Sequence, residues 1–299
     1  MMYPLSLGFM SQLSIHPRFR KPLFKNAAIQ EALATKGYVV CPCLSPDDVN
    51  LLMNSYEQLL SILPNGLPDT FCPSGRFEDP VLRNFARDSI DAVIPDRLSS
   101  FFIDNRASLM GGTFLIKPSG PNTALSAHQD SSHVDESNSF SVYAWIPLVD
   151  TTVENGAFHV LPESHLWDNK HRSLNVPWCF SGLEQELQKL SIPVTVKRGE
   201  VCFFEGALIH SSPPNKTDDT RVALNYFIKP KSQQFLHHYV DKETPEGMVE
   251  VYGVDIDFFY SEDFESRPSK SLFLRYENAV DKNLVLQPYQ KSICERHGS

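Results

Sequence analysis

The chain reads VCFFEGALIHSSPPNKTDDTRVALNYFI from Val201 to Ile228, and this stretch decides its fold. Aromatic and β-branched residues lie on both sides of a turn-forming segment, which predicts two antiparallel strands joined by a hairpin connection. Alternate residues of a strand share a face, so Leu208, His210 and Ser212 are expected on one face of the first strand. Arg221 begins the returning strand, and we expect it to lie close to Ser212.

Similar short runs fill the chain from residue 111 to residue 230. The predicted strands are Thr113–Lys117, Ser141–Ile146, Ala157–Leu161, Val194–Val196, Val201–Phe204 and Arg221–Ile228. Turn-forming residues separate them, and one helix at about Gly182–Leu190 interrupts them. Many short strands with this spacing are typical of a β-sandwich or β-barrel.

The segment before these strands, residues 26–110, is predicted to be mainly helical. Asn26–Lys36 is a helical run that ends at Gly37, and a short strand at Tyr38–Cys41 follows it. Ser45-Pro46-Asp47-Asp48 combines an N-cap serine, proline at the first helical position and acids in the first turn, so it predicts a helix start. Asn65–Pro80 is expected to be a long loop, and Pro80–Val93 another helix.

The last stretch, residues 231–299, is acidic and aromatic, and no chemistry can be assigned to it from sequence. We expect it to pack on the strand-rich part or to make a subunit contact. Since neither repeats nor low-complexity linkers divide the chain, we predict one domain, 1–299. It would contain a helical part (26–110), a β core (111–230) and a C-terminal extension (231–299).

The motif His128-Gln129-Asp130 is followed 82 residues later by His210. Two imidazoles and one carboxylate form the ligand set that leaves half of an iron(II) coordination sphere open. The chain has ten histidines, and a second pair with the same spacing, His133-Val134-Asp135, competes for the role. We favour the first pair because Lys117 and the strand before the loop align better with His128. We expect the second pair to line the entrance to the metal site.

Arg221 is a candidate for binding a carboxylate close to this metal site. Its planar fork binds a carboxylate through two hydrogen bonds, and the Ser212 hydroxyl can add a third. 2-Oxoglutarate needs such an anchor for its far carboxylate while its keto acid end chelates iron. Lys117 is a further candidate contact for the cosubstrate or the substrate, although a solvated lysine at a strand end is an equally good interpretation.

The chain resembles the phytanoyl-CoA dioxygenase family at several motifs between residues 113 and 228. The matching segments are Lys117-Pro118, His128-Gln-Asp130, Trp145-Ile-Pro-Leu-Val-Asp150, Glu154-Asn-Gly156, Leu161-Pro-Glu-Ser-His165, Gly199-Glu-Val201 and His210-Ser-Ser-Pro-Pro-Asn215 through Arg221. The resemblance implies a double-stranded β-helix, or jelly-roll, core of the cupin-like kind, mainly β with flanking helices. It also implies iron at His128, Asp130 and His210, and 2-oxoglutarate on Arg221 and Ser212. Glu163 departs from the family pattern, in which glycine is usual at this turn.

Candidate residues of the substrate pocket are Trp145, His133, Arg76 and Phe77. The loop Asn65–Pro80, which also carries Phe71, is expected to form part of a lid. Trp145 is more readily interpreted as a core residue, and Arg76 is equally interpretable as a surface arginine. The remaining histidines are interpreted as structural (His159 and His165) or as surface residues (His237 and His238).

Composition excludes several classes of function. The chain is 41% hydrophobic and 21% charged, as ordinary globular proteins are. A net charge of −9 argues against nucleic-acid binding, which needs clustered Lys and Arg. Neither a run of 18 apolar residues nor a signal-peptide pattern is present, so we expect no membrane association. The six scattered cysteines do not suggest a disulfide scaffold, and we expect reduced thiols in a cytoplasmic monomer or homodimer.

These observations predict an oxygenase that uses Fe(II), 2-oxoglutarate and O2. Hydroxylation of an unactivated C–H bond in a small-molecule metabolite is the default reaction, with succinate and carbon dioxide as coproducts; the same oxidant can also desaturate or cyclise a substrate. Two competing interpretations are a non-catalytic, cupin-like protein that binds a small ligand and an iron enzyme independent of 2-oxoglutarate. The substrate stays open among acyl-CoA thioesters, amino acids and secondary metabolites.

Overall fold

The computed structural model describes residues 16–167, 170–261, 266–280 and 287 of the chain. The helices are α1 Ala27–Lys36, α2 Pro46–Ile62, α3 Pro80–Asp91, α4 Ile94–Ser99, α5 Glu184–Leu190 and α6 Phe258–Ser261. The strands are β1 Tyr38–Pro42, β2 Cys72–Pro73, β3 Ala107–Lys117, β4 Leu125–His128, β5 Val142–Pro147, β6 Phe158–Val160, β7 Ile192–Val194, β8 Glu200–Glu205, β9 His210–Ser212, β10 Arg221–Pro230, β11 Leu236–Tyr239, β12 Met248–Gly253 and β13 Phe273–Asn278.

These strands form three antiparallel sheets. A six-stranded sheet has the order β1-β8-β5-β10-β3-β2, and a four-stranded sheet has the order β4-β9-β6-β7. From β3 to β10 the chain passes repeatedly between the two sheets, with β6 and β7 both in the four-stranded one. The prediction of a mainly β jelly-roll with flanking helices is confirmed. The third sheet, β11-β12-β13, comes entirely from the C-terminal stretch.

The central strand β5 explains how the layers pack. Val142, Ala144 and Ile146 contribute to a core shared with the N-terminal helices. Tyr143 and Trp145, which alternate with them, contribute to the core between the two large sheets. Both faces of β5 are therefore buried, which accounts for its continuous apolar sequence.

Local signals start and end the N-terminal helices as predicted. Asn26 caps α1 by accepting a hydrogen bond from the backbone N–H of Ala28, and Gly37 follows the helix with φ of +86°. Ser45 and Asp48 form a reciprocal capping box at the start of α2. The predicted helix from residue 80 ends at Asp91, and a separate helix, α4, follows it.

Other sequence expectations needed correction. Leu208 lies in the turn before β9 and not on the strand, because Glu205–Ala207 leaves the six-stranded sheet and the chain enters the four-stranded one. The strand predicted at Val194–Val196 spans Ile192–Val194. Glu163, at the turn where the family favours glycine, adopts φ of +69°, a conformation that glycine reaches without strain.

Two further expectations concern cysteines and the membrane. Cys41, Cys43, Cys72, Cys179 and Cys202 are free thiols, and Cys294 lies outside the described residues. None of the helices in the described ranges is both long and apolar enough to cross a bilayer. The division of the chain into a single domain, 1–299, stays a prediction.

Candidate metal centre and cosubstrate cavity

Two histidines meet across one strand pair of the four-stranded sheet. His128 ends β4 and His210 begins β9, and they are direct partners in the antiparallel register. Their ring centroids are 4.1 Å apart. A pairing between distant strands therefore brings together residues that are 82 positions apart in the sequence.

Asp130 completes a cluster of three potential metal ligands. One carboxylate oxygen lies 3.9 Å from Nε2 of His128, and the other lies 3.9 Å from Nε2 of His210. One ligand atom from each residue lies within 4.8 Å of the others, and this is the one such cluster found among the described residues. Strand β4 ends at His128, and Asp130 lies in the loop that follows it.

Backbone contacts orient both imidazoles toward the centre of this cluster. Nδ1 of His128 lies 2.8 Å from the Ser126 carbonyl oxygen, and Nδ1 of His210 lies 2.9 Å from that of Leu208. A carbonyl oxygen only accepts, so each Nδ1 carries the proton and donates. The Nε2 lone pairs are therefore available to a metal ion.

The electrostatics of the cluster fit a divalent cation. Oδ2 of Asp130 is buried and has no hydrogen-bond partner. Burial raises the pKa of Asp130, and burial, followed by the proximity of His128, holds the pKa of His210 well below its usual value. A cation bound here would be the partner that Oδ2 lacks, and the neutral imidazole of His210 could coordinate it.

Arg172 holds the loop that carries Asp130. Its Nε donates to the Asp130 carbonyl oxygen at 2.8 Å, and its two terminal nitrogens bond both oxygens of Glu136 at 2.7 and 2.8 Å. Gln129 points away from the cluster, since its amide bonds the Ala207 carbonyl oxygen and the Trp178 indole N–H. Sequence reasoning missed Arg172 because nothing local marks it as a partner of this loop.

Arg221 is a buried cation at the first position of β10. It is 2% exposed, and its Nε and Nη1 have no hydrogen-bond partner. Its Nη2 lies 3.5 Å from Oγ of Ser212. Burial lowers its pKa to about 10, and no carboxylate in the described ranges pairs with it, so the site is suited to a carboxylate ligand.

A cavity of about 40 Å³ connects Arg221 to the histidine cluster, and Arg221, Ser211, Ser212 and His210 are among the residues that line it. Trp145 also lines this small cavity, with the Arg221 guanidinium 5.6 Å from its ring centre. Trp145 was expected in the substrate pocket, but it lies beside the candidate cosubstrate site.

Lys117 is adjacent to this cavity but contributes differently from the expectation. It is fully buried and is the register partner of Arg221. Its Nζ donates to the carbonyl oxygens of Thr123, Ser212 and Pro213 at 2.6, 3.3 and 2.7 Å. Burial, followed by the proximity of Arg221, lowers the pKa of Lys117 to about 7. Its nitrogen contacts three carbonyl oxygens and Lys117 is not among the residues that line this cavity or the larger one beside it, so the lysine anchors the backbone next to Arg221.

A larger cavity of about 690 Å³ adjoins the small one, and His128, Asp130 and His210 form part of its wall. Arg76, His133 and Phe71 of the expected lid loop line it, and their assignment to a substrate pocket stays a prediction. Phe77 is absent from its wall and packs against the core under the N-terminal helices.

The competing pair His133 and Asp135 does not form a second metal site. Asp135 accepts hydrogen bonds from the backbone N–H of Ser137 and the amide of Asn138, so it stabilises a turn. Nδ1 of His133 bonds the Leu236 carbonyl oxygen. The two side chains therefore have separate partners.

The expectation that His237 and His238 are surface residues is wrong. They are 2% and 3% exposed, because β11 packs against the loop that follows Asp130. His237, Phe235, Ile256, Phe259 and Tyr260 line the large cavity, although sequence analysis assigned no chemistry to this stretch. The dense aromatic content of residues 255–260 was the one available signal.

Comparisons with known proteins match the chain to one family. The family model for phytanoyl-CoA dioxygenase (PhyH) matches residues 33–223. A phytanoyl-CoA dioxygenase domain-containing protein 1 homolog from Dictyostelium discoideum is 27% identical over 154 residues, which cover 48% of this chain and 54% of that protein. The human peroxisomal phytanoyl-CoA dioxygenase is 26% identical over 289 residues, which cover 85% of this chain and 84% of that enzyme.

Among solved structures, EctD from S. alaskensis, determined with 2-oxoglutarate and 5-hydroxyectoine, is similar with a TM-score of 0.52. The sequences are 21% identical, and the match covers 77% of this chain and 86% of EctD. At this level of identity the similarity shows a shared fold. The match spans about half the length of the Dictyostelium discoideum protein and most of the length of the human enzyme and of EctD.

Proposed function

Because the chain belongs to the phytanoyl-CoA dioxygenase family of iron(II)- and 2-oxoglutarate-dependent oxygenases, we propose that it hydroxylates an unactivated C–H bond of a small-molecule metabolite. The cofactor is Fe(II), and 2-oxoglutarate and O2 are the cosubstrates. Succinate and carbon dioxide are the coproducts. Iron and O2 supply the oxidising power, and the protein binds and orients the reactants.

The proposal assigns His128, Asp130 and His210 as the iron ligands. Arg221 and Ser212 bind the far carboxylate of 2-oxoglutarate, and Lys117 positions the backbone beside them. One observation carries this assignment: His210 lies in the wall of both the large cavity and the small cavity that contains Arg221. A cosubstrate held by Arg221 and a substrate in the large cavity would therefore both lie next to the metal ligand His210.

The lining of the large cavity supports a small and mostly apolar substrate. Its volume of about 690 Å³ is within the range of small-molecule sites. Arg76 is the one lysine or arginine among the described residues that line it. A coenzyme A thioester carries several phosphate charges that need cationic partners, so this lining favours a metabolite with at most one negative charge.

The test is substrate-stimulated release of succinate from iron-loaded protein, measured over a panel of small metabolites. We expect stimulation by at least one of them, and a product that gains one oxygen atom from labelled O2. His210→Ala should abolish turnover, whereas His159→Ala, a control at a strand histidine outside both cavities, should retain it.

Other outcomes contradict parts of the proposal. A product that has lost two hydrogens without gaining oxygen would replace hydroxylation by desaturation or cyclisation. Ligand binding without any consumption of 2-oxoglutarate would favour the non-catalytic binding protein. Turnover without 2-oxoglutarate would indicate an iron enzyme of another type.

A further inference from the structure

The C-terminal stretch places a buried histidine with no hydrogen-bond partner in the large cavity. His237 is 2% exposed, and neither of its ring nitrogens has a hydrogen-bond partner. Its ring lines the same cavity as His128, Asp130 and His210. Buried polar groups in folded proteins are nearly always hydrogen-bonded, so an unpaired imidazole in the wall of a cavity indicates a missing ligand group.

His133 presents a second ring to the same part of the cavity, and its orientation is fixed by two backbone contacts. The Leu236 N–H donates to the His133 carbonyl oxygen at 2.9 Å. Nδ1 of His133 donates in return to the Leu236 carbonyl oxygen at 3.2 Å. Since Nδ1 carries the proton, Nε2 of the neutral ring is left as a hydrogen-bond acceptor.

Aromatic rings surround both histidines. The His133 ring stacks on Phe235 with centroids 4.9 Å apart and contacts Phe227 and Phe259 edge-on at 5.2 and 5.0 Å. The His237 ring lies 5.7 Å from Phe259 and 5.4 Å from Phe258. The side chains that contact the two imidazoles here are therefore phenylalanine rings, which offer no hydrogen bond.

Both rings are neutral at physiological pH. Burial lowers the pKa of His133 to about 4, and burial together with nearby His133 lowers that of His237 to about 4. Neutral imidazoles bind groups that both donate and accept hydrogen bonds, whereas a carboxylate would need a cation and an ammonium group would need an anion. Asp130, the one carboxylate among the described residues of the cavity wall, is assigned to the metal.

We infer that His237 and His133 form a subsite that binds a hydroxyl group on an apolar, uncharged part of the substrate. A hydroxyl can donate to Nε2 of His133 and accept from the protonated nitrogen of His237, while the phenylalanine rings contact the carbon skeleton around it. The inference rests on the proposed function in that the ligand of this subsite is the substrate of the oxygenase. It assigns a role to residues 231–260, where the sequence carries no recognisable motif.

The test compares benzyl alcohol with toluene as probes, because they share an aromatic ring and differ in the hydroxyl group. Their affinities for zinc-loaded protein with saturating 2-oxoglutarate are measured by ligand-observed NMR titration. We expect the wild-type protein to prefer benzyl alcohol by about tenfold, as expected for a site built to hydrogen-bond a hydroxyl. His237→Phe keeps a planar ring without nitrogens and should reduce the preference to about one while it retains toluene binding.

Two further variants make the result specific. His237→Gln keeps a donor and an acceptor and should restore part of the preference for the alcohol. His159→Phe is the matched control outside the cavity and should behave as the wild type does. Equal affinities of the two probes for wild-type protein, or an unchanged preference in His237→Phe, would overturn the subsite.

The same samples separate this inference from the proposed function. The affinity for 2-oxoglutarate is measured in the wild type and in His237→Phe, and we expect it to be equal. A preference for the alcohol that depends on His237 in a protein that does not bind 2-oxoglutarate would support the subsite and refute the oxygenase. Normal binding of 2-oxoglutarate with no preference for the alcohol would refute the subsite and support the oxygenase.

Discussion

Replacement of Arg221 by methionine should stabilise the protein in the absence of 2-oxoglutarate. The guanidinium is 2% exposed, and two of its nitrogens have no partner. Burial lowers its pKa from 12.5 to about 10. At 1.36 kcal/mol for each tenfold change in proton affinity, the buried charge costs roughly 3 kcal/mol of folding free energy.

The sign of this effect follows from the two pKa values. At pH 7 the side chain is charged in both the folded and the unfolded chain, so the full cost is present. The cost decreases only as the pH rises above about 10, where the folded protein loses the proton before the unfolded chain does. Arg221→Met should therefore raise the free energy of unfolding at pH 7 by up to about 3 kcal/mol.

Binding of 2-oxoglutarate should cancel most of this difference in stability. At a concentration of 100 times its Kd, a ligand stabilises the folded state by about 2.7 kcal/mol. The wild-type protein should gain this amount and Arg221→Met should gain almost nothing. Arg221→Lys keeps the charge but loses the planar fork, so its affinity for 2-oxoglutarate should fall about tenfold or more, which corresponds to the 1.5–3 kcal/mol of a charged hydrogen bond.

The assay is urea unfolding of iron-loaded protein under anaerobic conditions, followed by circular dichroism with and without 2-oxoglutarate. The exposed arginine Arg20, changed to methionine, is the control and should leave both curves unchanged. The reasoning fails if Arg221→Met is less stable than the wild type without 2-oxoglutarate. It also fails if 2-oxoglutarate raises the unfolding midpoint of both proteins equally.

Four further predictions concern the metal site and its surroundings. His210→Ala should lose bound iron and turnover together, and stoichiometric iron with full activity would contradict the ligand assignment. The product formed in bromide buffer should contain oxygen and no bromine, because the carboxylate of Asp130 occupies the position that a halide would need. Mass spectrometry of the product checks this, and a brominated product would overturn the ligand assignment. Arg172→Met should weaken iron affinity by about 10- to 100-fold, since Arg172 bonds the Asp130 carbonyl oxygen, and an unchanged iron titration would exclude that role. Substrate should protect the loop at residues 65–80 from proteolysis, and an unchanged cleavage rate would exclude the lid.

The N-terminal elements could be predicted because their signals are local. Asn26, Ser45 and Gly37 act on backbone groups within four residues of themselves, so the sequence alone identifies the ends of α1 and the start of α2. The runs of aromatic and β-branched residues in β5 and β10 likewise identified strands whose partners were unknown. Helix α3 ends at Asp91, two residues before the predicted end at Val93, and α4 begins at Ile94.

The metal centre was predictable in its residue types but not in its geometry. His128, Asp130, His210 and Arg221 were identified from spacing and from a family resemblance, and their assignments as ligands stay predictions. Which carboxylate joins the histidines was decided by the turn that binds Asp135 and by the approach of Asp130 to both Nε2 atoms. Lys117 was placed near the cosubstrate, but the three carbonyl oxygens that it bonds come from residues 6 to 96 positions away.

Sequence by itself predicted the fold class and the candidate ligands, because strand-forming runs and helix caps depend on neighbouring residues and the ligands lie in short motifs that resemble a known family. The tertiary structure alone decided that His237 is buried in the cavity, that Phe77 is not, and that Arg221 has no anionic partner among the described residues. Each of these facts depends on contacts between segments far apart in the chain. Burial and the loss of hydrogen-bond partners arise only when such segments pack together, and no local pattern in the sequence encodes them.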